Sequence, residues 1–328
     1  MREWEFTTQG AYCRVCGDCN DQEKFWEEDY ISNGQYLVHC GCCGFAYLYP
    51  FPTSKTLDYF YYSDYRKVYS FGSAKKHDER FLRDCLVDEI GLIRANMIFG
   101  EYQLPNNILE IGPGFGGFLA AIGSYGHEVS LYALEADPKC FPRLGKIAEL
   151  VESIDSIYAD SIEMACAFHV LEHVLDPSDL LQQLFKVMKN DGLVAFEVPN
   201  FLSNWGNWNS HVHGAHQSYF TIDSLKFLLT KNGFFPETII EYKEGELLSG
   251  AILIVARKSD GRVDLGNWTY CTAQQTRSDR VRLKSKKPRF AERLKSKTRR
   301  LMLKLIGPEH IGGYQRRKFY KYHSRLIK

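Results

Sequence analysis

Residues 107–119 read NILEIGPGFGGFL. Ile108, Leu109 and Ile111 make an apolar strand. Gly112-Pro113-Gly114-Phe115-Gly116-Gly117 makes a glycine-rich turn, and Phe118-Leu119-Ala120-Ala121-Ile122 opens a helix. Strand, glycine turn and helix in that order form the first unit of a Rossmann-like α/β fold. The glycines let the backbone come close to a ligand at the helix N-terminus. About 20 residues further on, EVSLYALE predicts a second strand that ends at Glu135, an acid suited to hydrogen-bonding a ribose diol.

Nicotinamide dinucleotides and S-adenosylmethionine both satisfy this pattern, and Glu110 separates them. A carboxylate at the strand end repels a pyrophosphate but pairs with a cationic amino-acid moiety or a sulfonium. Downstream, residues 167–177 read AFHVLEHVLDP. The two motifs, in this order and spacing, resemble the class I S-adenosylmethionine-dependent methyltransferases of the small-molecule type, over about residues 105–257. The front of the chain is similar to methyltransferases that carry an N-terminal zinc-binding module. In several of these the substrate is a nucleotide-linked sugar, methylated at carbon or oxygen.

The resemblance implies a seven-stranded sheet, methyl transfer, and no metal in the chemistry itself. It implies that Glu110, Gly112 and Gly114 hold the methionine part of the cofactor, with Gly116 and Phe118 matching less tightly. Glu135, with Ala136 beside it, takes the ribose. Ser153 and Ile154 lie near the adenine, where a third strand would end. Phe168 and His169 line the methyl-donor side, and Leu171-Glu172-His173 forms the exit of the fourth strand.

Six of the ten cysteines lie in the first 43 residues. Cys13-Arg14-Val15-Cys16-Gly17 and Cys40-Gly41-Cys42-Cys43-Gly44 are both Cys-x-x-Cys-Gly. Such a turn aims two thiolates at one cation, and two turns complete a tetrahedral sulfur site. Cys13, Cys16, Cys40 and Cys43 are therefore the expected ligands of a structural zinc; four thiolates leave no open position for catalysis. Cys19 and Cys42 are spare, with Cys42 an alternative ligand and His39 a weaker one. A hairpin turning at Asn33-Gly34 within YISNGQYLVHC is expected between the pairs. The competing reading is a set of reduced thiols with no metal.

The domain organisation that follows is a zinc-binding module at 1–56, a Tyr-rich segment and linking helix at 57–104, a cofactor-binding methyltransferase domain at 105–257 and a basic extension at 258–328. The Tyr-rich stretch 57–72 reads equally as packing or as a lid, and 76–100 has helical spacing. Helices are expected at 178–189 and 223–234, and later strands at 192–200, 237–243 and 247–256. Residues 201–221, FLSNWGNWNSHVHGAHQSYFT, form a long insert leaving the ligand-binding end of the sheet. His216 is the first candidate for general base, followed by Tyr219 and His173; a neutral imidazole takes the acceptor's proton as the methyl group arrives. His173 also suits a purely structural role at a strand–helix junction. Trp205 and Trp208 suit stacking on a sugar or base, or packing of the loop. His211 and His213 lack a convincing third metal ligand.

The chain has 328 residues, 45% hydrophobic and 25% charged, which excludes wholesale disorder. No apolar run reaches the roughly 18–20 residues that span a bilayer, and the first residues lack the apolar core of a secretory signal. The net charge of +1 is a cancellation. Residues 1–256 carry 19 Lys and Arg against 35 Asp and Glu, and residues 257–328 carry 22 against 5. Within the latter, 277–305 interleaves basic and apolar residues, which suits an anionic membrane surface or self-association. The expected location is the cytoplasm, with that segment as a peripheral membrane contact.

The expected partner is a small-molecule acceptor, a sugar or nucleotide-linked sugar in glycan or natural-product synthesis. The alternative is an RNA methyltransferase that grips nucleic acid with the zinc module and the basic tail. His169-Val170-Leu171-Glu172-His173 disfavours it, because methylation of base amino groups would call for Asn/Asp-Pro-Pro-aromatic.

Overall fold

The computed structural model describes residues 4–8, 10–17, 20–26, 34–64, 86–126, 128–203, 212, 214–242, 248 and 250–259. The glycine-turn strand, β4 (Asn107–Ile111), lies between β5 (Ser130–Leu134) and β7 (Ile162–Phe168). The short β6 (Glu149–Leu150) extends the sheet beyond β5, and β8 (Met188–Pro199) extends it beyond β7; these five strands are parallel. β11 (Ala251–Lys258) pairs antiparallel with β8, and β10 (Phe234–Glu241) antiparallel with β11. The result is a seven-stranded mixed sheet in the order β10-β11-β8-β7-β4-β5-β6. The chain runs outward from β4 through β5 to β6, then returns to β7 on the other side of β4. The carboxyl ends of β4 and β7 thus flank a topological switch point, where ligands bind in open α/β sheets.

Alternation along the strands fills both faces. Ala165 and Ala167 of β7 join one buried cluster, and Met164, Cys166 and Phe168 join the other. The helices cover these faces: α2 (Val87–Phe99), α3 (Gly117–Gly123), the short α4 (Phe141–Leu144), α5 (Pro177–Val187) and α6 (Ile222–Lys231) follow α1 (Ser54–Tyr59) in the chain. α2 and α3 touch backbone to backbone, since a Cβ on Gly91 would lie 2.1 Å from the Gly117 carbonyl carbon. α5 starts where Asp176 accepts from the Ser178 and Asp179 amides, with Pro177 in its first turn. α6 starts with a reciprocal Thr221–Ser224 capping box. No helix among the described residues is long and apolar enough to cross a membrane.

Several boundaries differ from the sequence expectation. α6 ends before Gly233, whose φ of +83° turns the chain straight into β10, so that strand begins at 234 and not 237. β11 follows at 251–258. β8 begins at Met188, running through Asn190-Asp191-Gly192, which the sequence suggested as a preceding turn. Only 87–99 of the helix expected at 76–100 is helical among the described residues.

The N-terminal strands β1 (Gln22–Trp26), β2 (Tyr36–Cys40) and β3 (Ala46–Tyr49) form an antiparallel sheet. Trp26 pairs with Leu37, so residues 27–36 lie between this pair, and Asn33 of the expected turn lies outside the described residues. The partner of β2 lies earlier in the chain, at 22–26. A fourth strand comes from far along the sequence: β9 (Ser218–Tyr219), at the end of the long insert, pairs antiparallel with β3. Phe45 packs on Phe220 with ring centroids 5.3 Å apart, and cysteines of the first module share a buried cluster with β4, β7 and β8. Cys19, Asn33, residues 65–85, Trp205, Trp208, His211, His213 and the basic stretch 277–305 lie outside the described residues.

Candidate active site and thiolate cluster

Gly112, Gly114 and Gly116 all have positive φ, +62°, +58° and +73°, a conformation that L side chains rarely adopt. A Cβ on Gly112 would meet Val170 Cγ2 at 2.5 Å, whereas one on Gly114 would project into open space. The Gly114 amide donates to Glu135 Oε2 and the Asp137 amide to Glu135 Oε1, each at 2.8 Å, so the turn and the acid after β5 are fixed to each other. Ala136 is exposed beside them. Glu110 is buried, and its Oε2 has no hydrogen-bond partner. Burial pushes its carboxyl up to about 8, against the opposing pull of Arg94. A buried carboxyl with one unpartnered oxygen and an open glycine cradle at a helix N-terminus fit the amino-acid and nucleoside parts of S-adenosylmethionine. Phe118 packs edge-on against Phe168 at 4.9 Å, which shapes the floor between β4 and β7. Ser153 is exposed and Ile154 buried, in a single 3-10 turn (Ile154–Ser156) beyond the two-residue β6.

A charged network that the sequence reading did not assemble lies beneath this floor. Glu197 of β8 is fully buried and is paired with Arg94 of α2, whose Nε and Nη2 each donate to one carboxylate oxygen. It also accepts from His169 Nε2 at 3.0 Å and from the Tyr242 hydroxyl at 3.1 Å. Burial would raise Glu197, but Arg94 and His169 outweigh it and hold the carboxyl at about 2. His169 stands at the end of β7 in a left-handed conformation, φ +57°, and bonds Glu172 Oε1 through Nδ1 at 3.2 Å. Burial pushes His169 down; hydrogen bonds to Glu172 and Glu197 overcome it and hold the imidazole at about 9. The available signal was a single charge inside each of two apolar stretches, GLIRANMIF and GLVAFEVPN.

His173 and His216, 43 residues apart in sequence, meet with ring centroids 4.8 Å apart. His173 Nδ1 lies 2.9 Å from the Ala215 carbonyl, and the Tyr61 hydroxyl donates to that carbonyl at 2.6 Å. Tyr61 therefore ties the Tyr-rich segment to the residue before His216, while Leu57 and Phe60 of that segment are buried packing. Burial lowers His173, which favours the neutral ring. Tyr219 is buried in β9 beside Leu37, Ala46, Leu48 and Val212, with its ring 6.2 Å from His216. Glu172 completes the group: one potential ligand atom from each of Glu172, His173 and His216 lies within 4.8 Å of the others.

On the far side of β3, the sulfurs of Cys13, Cys16, Cys40 and Cys43 also lie within 4.8 Å of one another. The Cys13–Cys43 and Cys16–Cys40 separations are 3.4 and 3.6 Å. A tetrahedral zinc with bonds of about 2.3 Å needs sulfurs about 3.8 Å apart, so this donor set fits the ion. Gly17 and Gly44, which end the two turns, have φ of +84° and +77°. Hydrogen bonds from its neighbours push the Cys40 thiol far down, toward the thiolate a metal requires, while burial pushes Cys13 up. Cys42 and His39 do not belong to this group.

Residues 80–238 match the family model described as a methyltransferase domain. Among solved structures, a SAM-dependent methyltransferase from Archaeoglobus fulgidus is 20% identical over 55% of this chain and 100% of that one, with a TM-score of 0.47. A second from Aquifex aeolicus is 15% identical over 56% and 100%, with a TM-score of 0.42. The 1,6-didemethyltoxoflavin-N1-methyltransferase of Burkholderia thailandensis, solved with bound 1,6-didemethyltoxoflavin and S-adenosylhomocysteine, is 19% identical over 55% and 84%, with a TM-score of 0.43. The match over residues 80–238 and the seven-stranded α/β sheet agree with the class I S-adenosylmethionine-dependent methyltransferase domain that the sequence motifs resemble.

Proposed function

We propose that the chain transfers a methyl group from S-adenosylmethionine to a small-molecule acceptor, a sugar or nucleotide-linked sugar in glycan or natural-product synthesis, with a structural zinc at the four thiolates. The observation that carries this reading is the His173–His216 pair at the exit of β7, on the same segment whose Val170 abuts Gly112. Glu110, Gly112, Gly114, Gly116 and Phe118 would hold the methionine part, Glu135 and Ala136 the ribose, Ser153 and Ile154 the adenine edge, and Phe168 and His169 the methyl-donor side.

The cofactor supplies a methyl group on a sulfonium cation. The protein's tasks are to align an in-line displacement, exclude water and take one proton. As the acceptor takes the methyl group, His216 would accept its proton. Tyr61 and His173 hold the backbone of that histidine through the Ala215 carbonyl. The RNA reading draws on the zinc module and the basic tail, of which residues 277–305 lie outside the described residues, and no feature of this site favours it.

Calorimetry on the native protein is expected to show S-adenosylmethionine binding that Gly112→Arg abolishes; absence of binding to the native protein would overturn the assignment. His216→Ala is expected to abolish turnover, scored with labelled cofactor across a panel of nucleotide sugars, while cofactor affinity stays within about twofold. Unchanged turnover in that variant would place the base elsewhere.

A further inference from the structure

We infer that Glu172, His173 and His216 form a second metal site, distinct from the thiolate cluster, that takes a divalent first-row transition ion on the acceptor side of the methyltransferase. The inference rests on the reading of this face as the acceptor side and departs from the family resemblance, which implies chemistry without a metal.

Three observations converge. First, one ligand atom from each side chain already lies within 4.8 Å of the others, with His173 Nε2 3.9 Å from Glu172 Oε1. Second, the Ala215 carbonyl only accepts, so the hydrogen bond at His173 Nδ1 puts the ring proton there and the lone pair on Nε2. That lone pair then faces the Glu172 carboxylate 3.9 Å away, an arrangement that a bound cation would stabilise. A ligating histidine that gives its other N–H to a backbone carbonyl is the usual outer-sphere arrangement around protein-bound metals.

Third, Glu172 is 2% exposed, and its Oε1 is engaged by His169 whereas its Oε2 is buried with no hydrogen-bond partner. A buried carboxylate oxygen of this kind is costly to leave uncompensated, and metal coordination is one of the few ways to compensate it. The backbone of the cluster is also fixed: the Ser218 amide donates to the Glu172 carbonyl at 2.9 Å, and the His173 amide to the Val170 carbonyl at 2.8 Å.

Two imidazoles and a carboxylate suit Zn2+, Fe2+, Co2+ or Mn2+ better than Ca2+ or Mg2+. Three protein ligands leave coordination positions for an acceptor, unlike the closed four-sulfur site. A hydroxyl bound there loses its proton more readily, and the ion fixes the oxygen that receives the methyl group. With the ion bound, the two histidines would serve as ligands, and the acceptor hydroxyl would give its proton to solvent water on binding the ion, in place of the transfer to His216 described for the ion-free site. Dependence of turnover on the second ion separates this from direct proton transfer to His216.

The test uses the full-length, untagged protein with its thiolate site loaded with zinc. Co2+ is titrated and followed by visible absorption and calorimetry, with S-adenosylmethionine binding measured on the same samples. One further ion per chain is expected, with the spectrum of a nitrogen and oxygen site and no thiolate charge-transfer band. Affinity for it should fall at least about tenfold in His216→Ala and in Glu172→Gln. Thermal melts and cofactor binding confirm that each variant is folded, and His216→Ala alone suffices if Glu172→Gln does not fold.

Absence of a second ion in the native protein, or undiminished Co2+ binding in His216→Ala, overturns the inference. Cofactor binding without a second ion removes the metal site and leaves the methyltransferase reading standing. A second ion without cofactor binding removes the methyltransferase reading instead.

Discussion

Glu110 shows how one residue's environment becomes a measurable property. Its carboxyl, held up at about 8 by burial, is mostly protonated at neutral pH in the cofactor-free protein. If the cationic amino-acid end of S-adenosylmethionine settles against it, the bound state favours the carboxylate, and binding releases a proton from this group. The sign is set by the raised value: affinity should climb by up to about tenfold per pH unit as pH rises toward 8, and flatten above it. Calorimetry in buffers of different ionisation enthalpy measures the release. Glu110→Gln should remove this proton and its share of the pH slope, and the difference between the two proteins cancels protons from the cofactor itself. Equal proton counts in both would show that Glu110 does not face the ligand. Glu110 was legible in the sequence because it stands two residues before Gly112 in a local motif. Arg94 and Glu197 were not, since they are 103 residues apart and nothing local marks their pairing.

At the scale of elements, the N-terminal sheet takes in the segment that follows His216. β3 pairs with β9 through Ala46–Tyr219 and Tyr47–Ser218, and the Leu48 amide donates to the Gln217 carbonyl at 3.1 Å. Gln35 Nε2 donates to Gln217 Oε1 at 3.0 Å. The first Cys-x-x-Cys turn is plugged into the large domain: Arg14 donates to the Leu175 carbonyl and lies over the Phe51 ring, Ser178 donates to the Arg14 carbonyl, and Lys231 donates to the Val15 carbonyl. Removal of the proposed zinc should therefore loosen residues 217–220 and displace His216 while sparing the glycine turn. Chelation, or Cys16→Ser, is expected to raise amide exchange at Leu48 and Ser218 and to cut turnover by up to about 100-fold, with cofactor affinity unchanged. Unaltered exchange at those amides after metal loss would dissociate the thiolate cluster from the site. The cysteine spacing pointed to the cluster, but β9 has only two residues, too few for any periodicity to announce it.

The molecule as a whole divides by charge. The body that carries both sites holds 19 Lys and Arg against 35 Asp and Glu, whereas residues 257–328 hold 22 against 5. The seven-stranded sheet followed from family resemblance together with the alternation of strands and helices, but its strand order did not. The partner of the basic segment has no such signature, because charge and amphipathicity fix an affinity for anionic surfaces without fixing one shape. The β11 strand that closes the sheet ends at Lys258, so the sheet that positions the cofactor is complete before residues 277–328 begin. Deletion of 277–328 should leave S-adenosylmethionine affinity within about twofold. It should abolish a salt-sensitive association of the full chain, with anionic vesicles or with a second copy's acidic body. Near an anionic membrane each Lys or Arg contributes about 1 kcal/mol, and salt weakens this by shortening the Debye length to about 8 Å at physiological strength. Vesicle co-sedimentation and light scattering at low and high salt read the two arms. Loss of cofactor binding on deletion, or no salt-dependent association of the full chain in either assay, would refute this division between a catalytic body and a basic attachment segment.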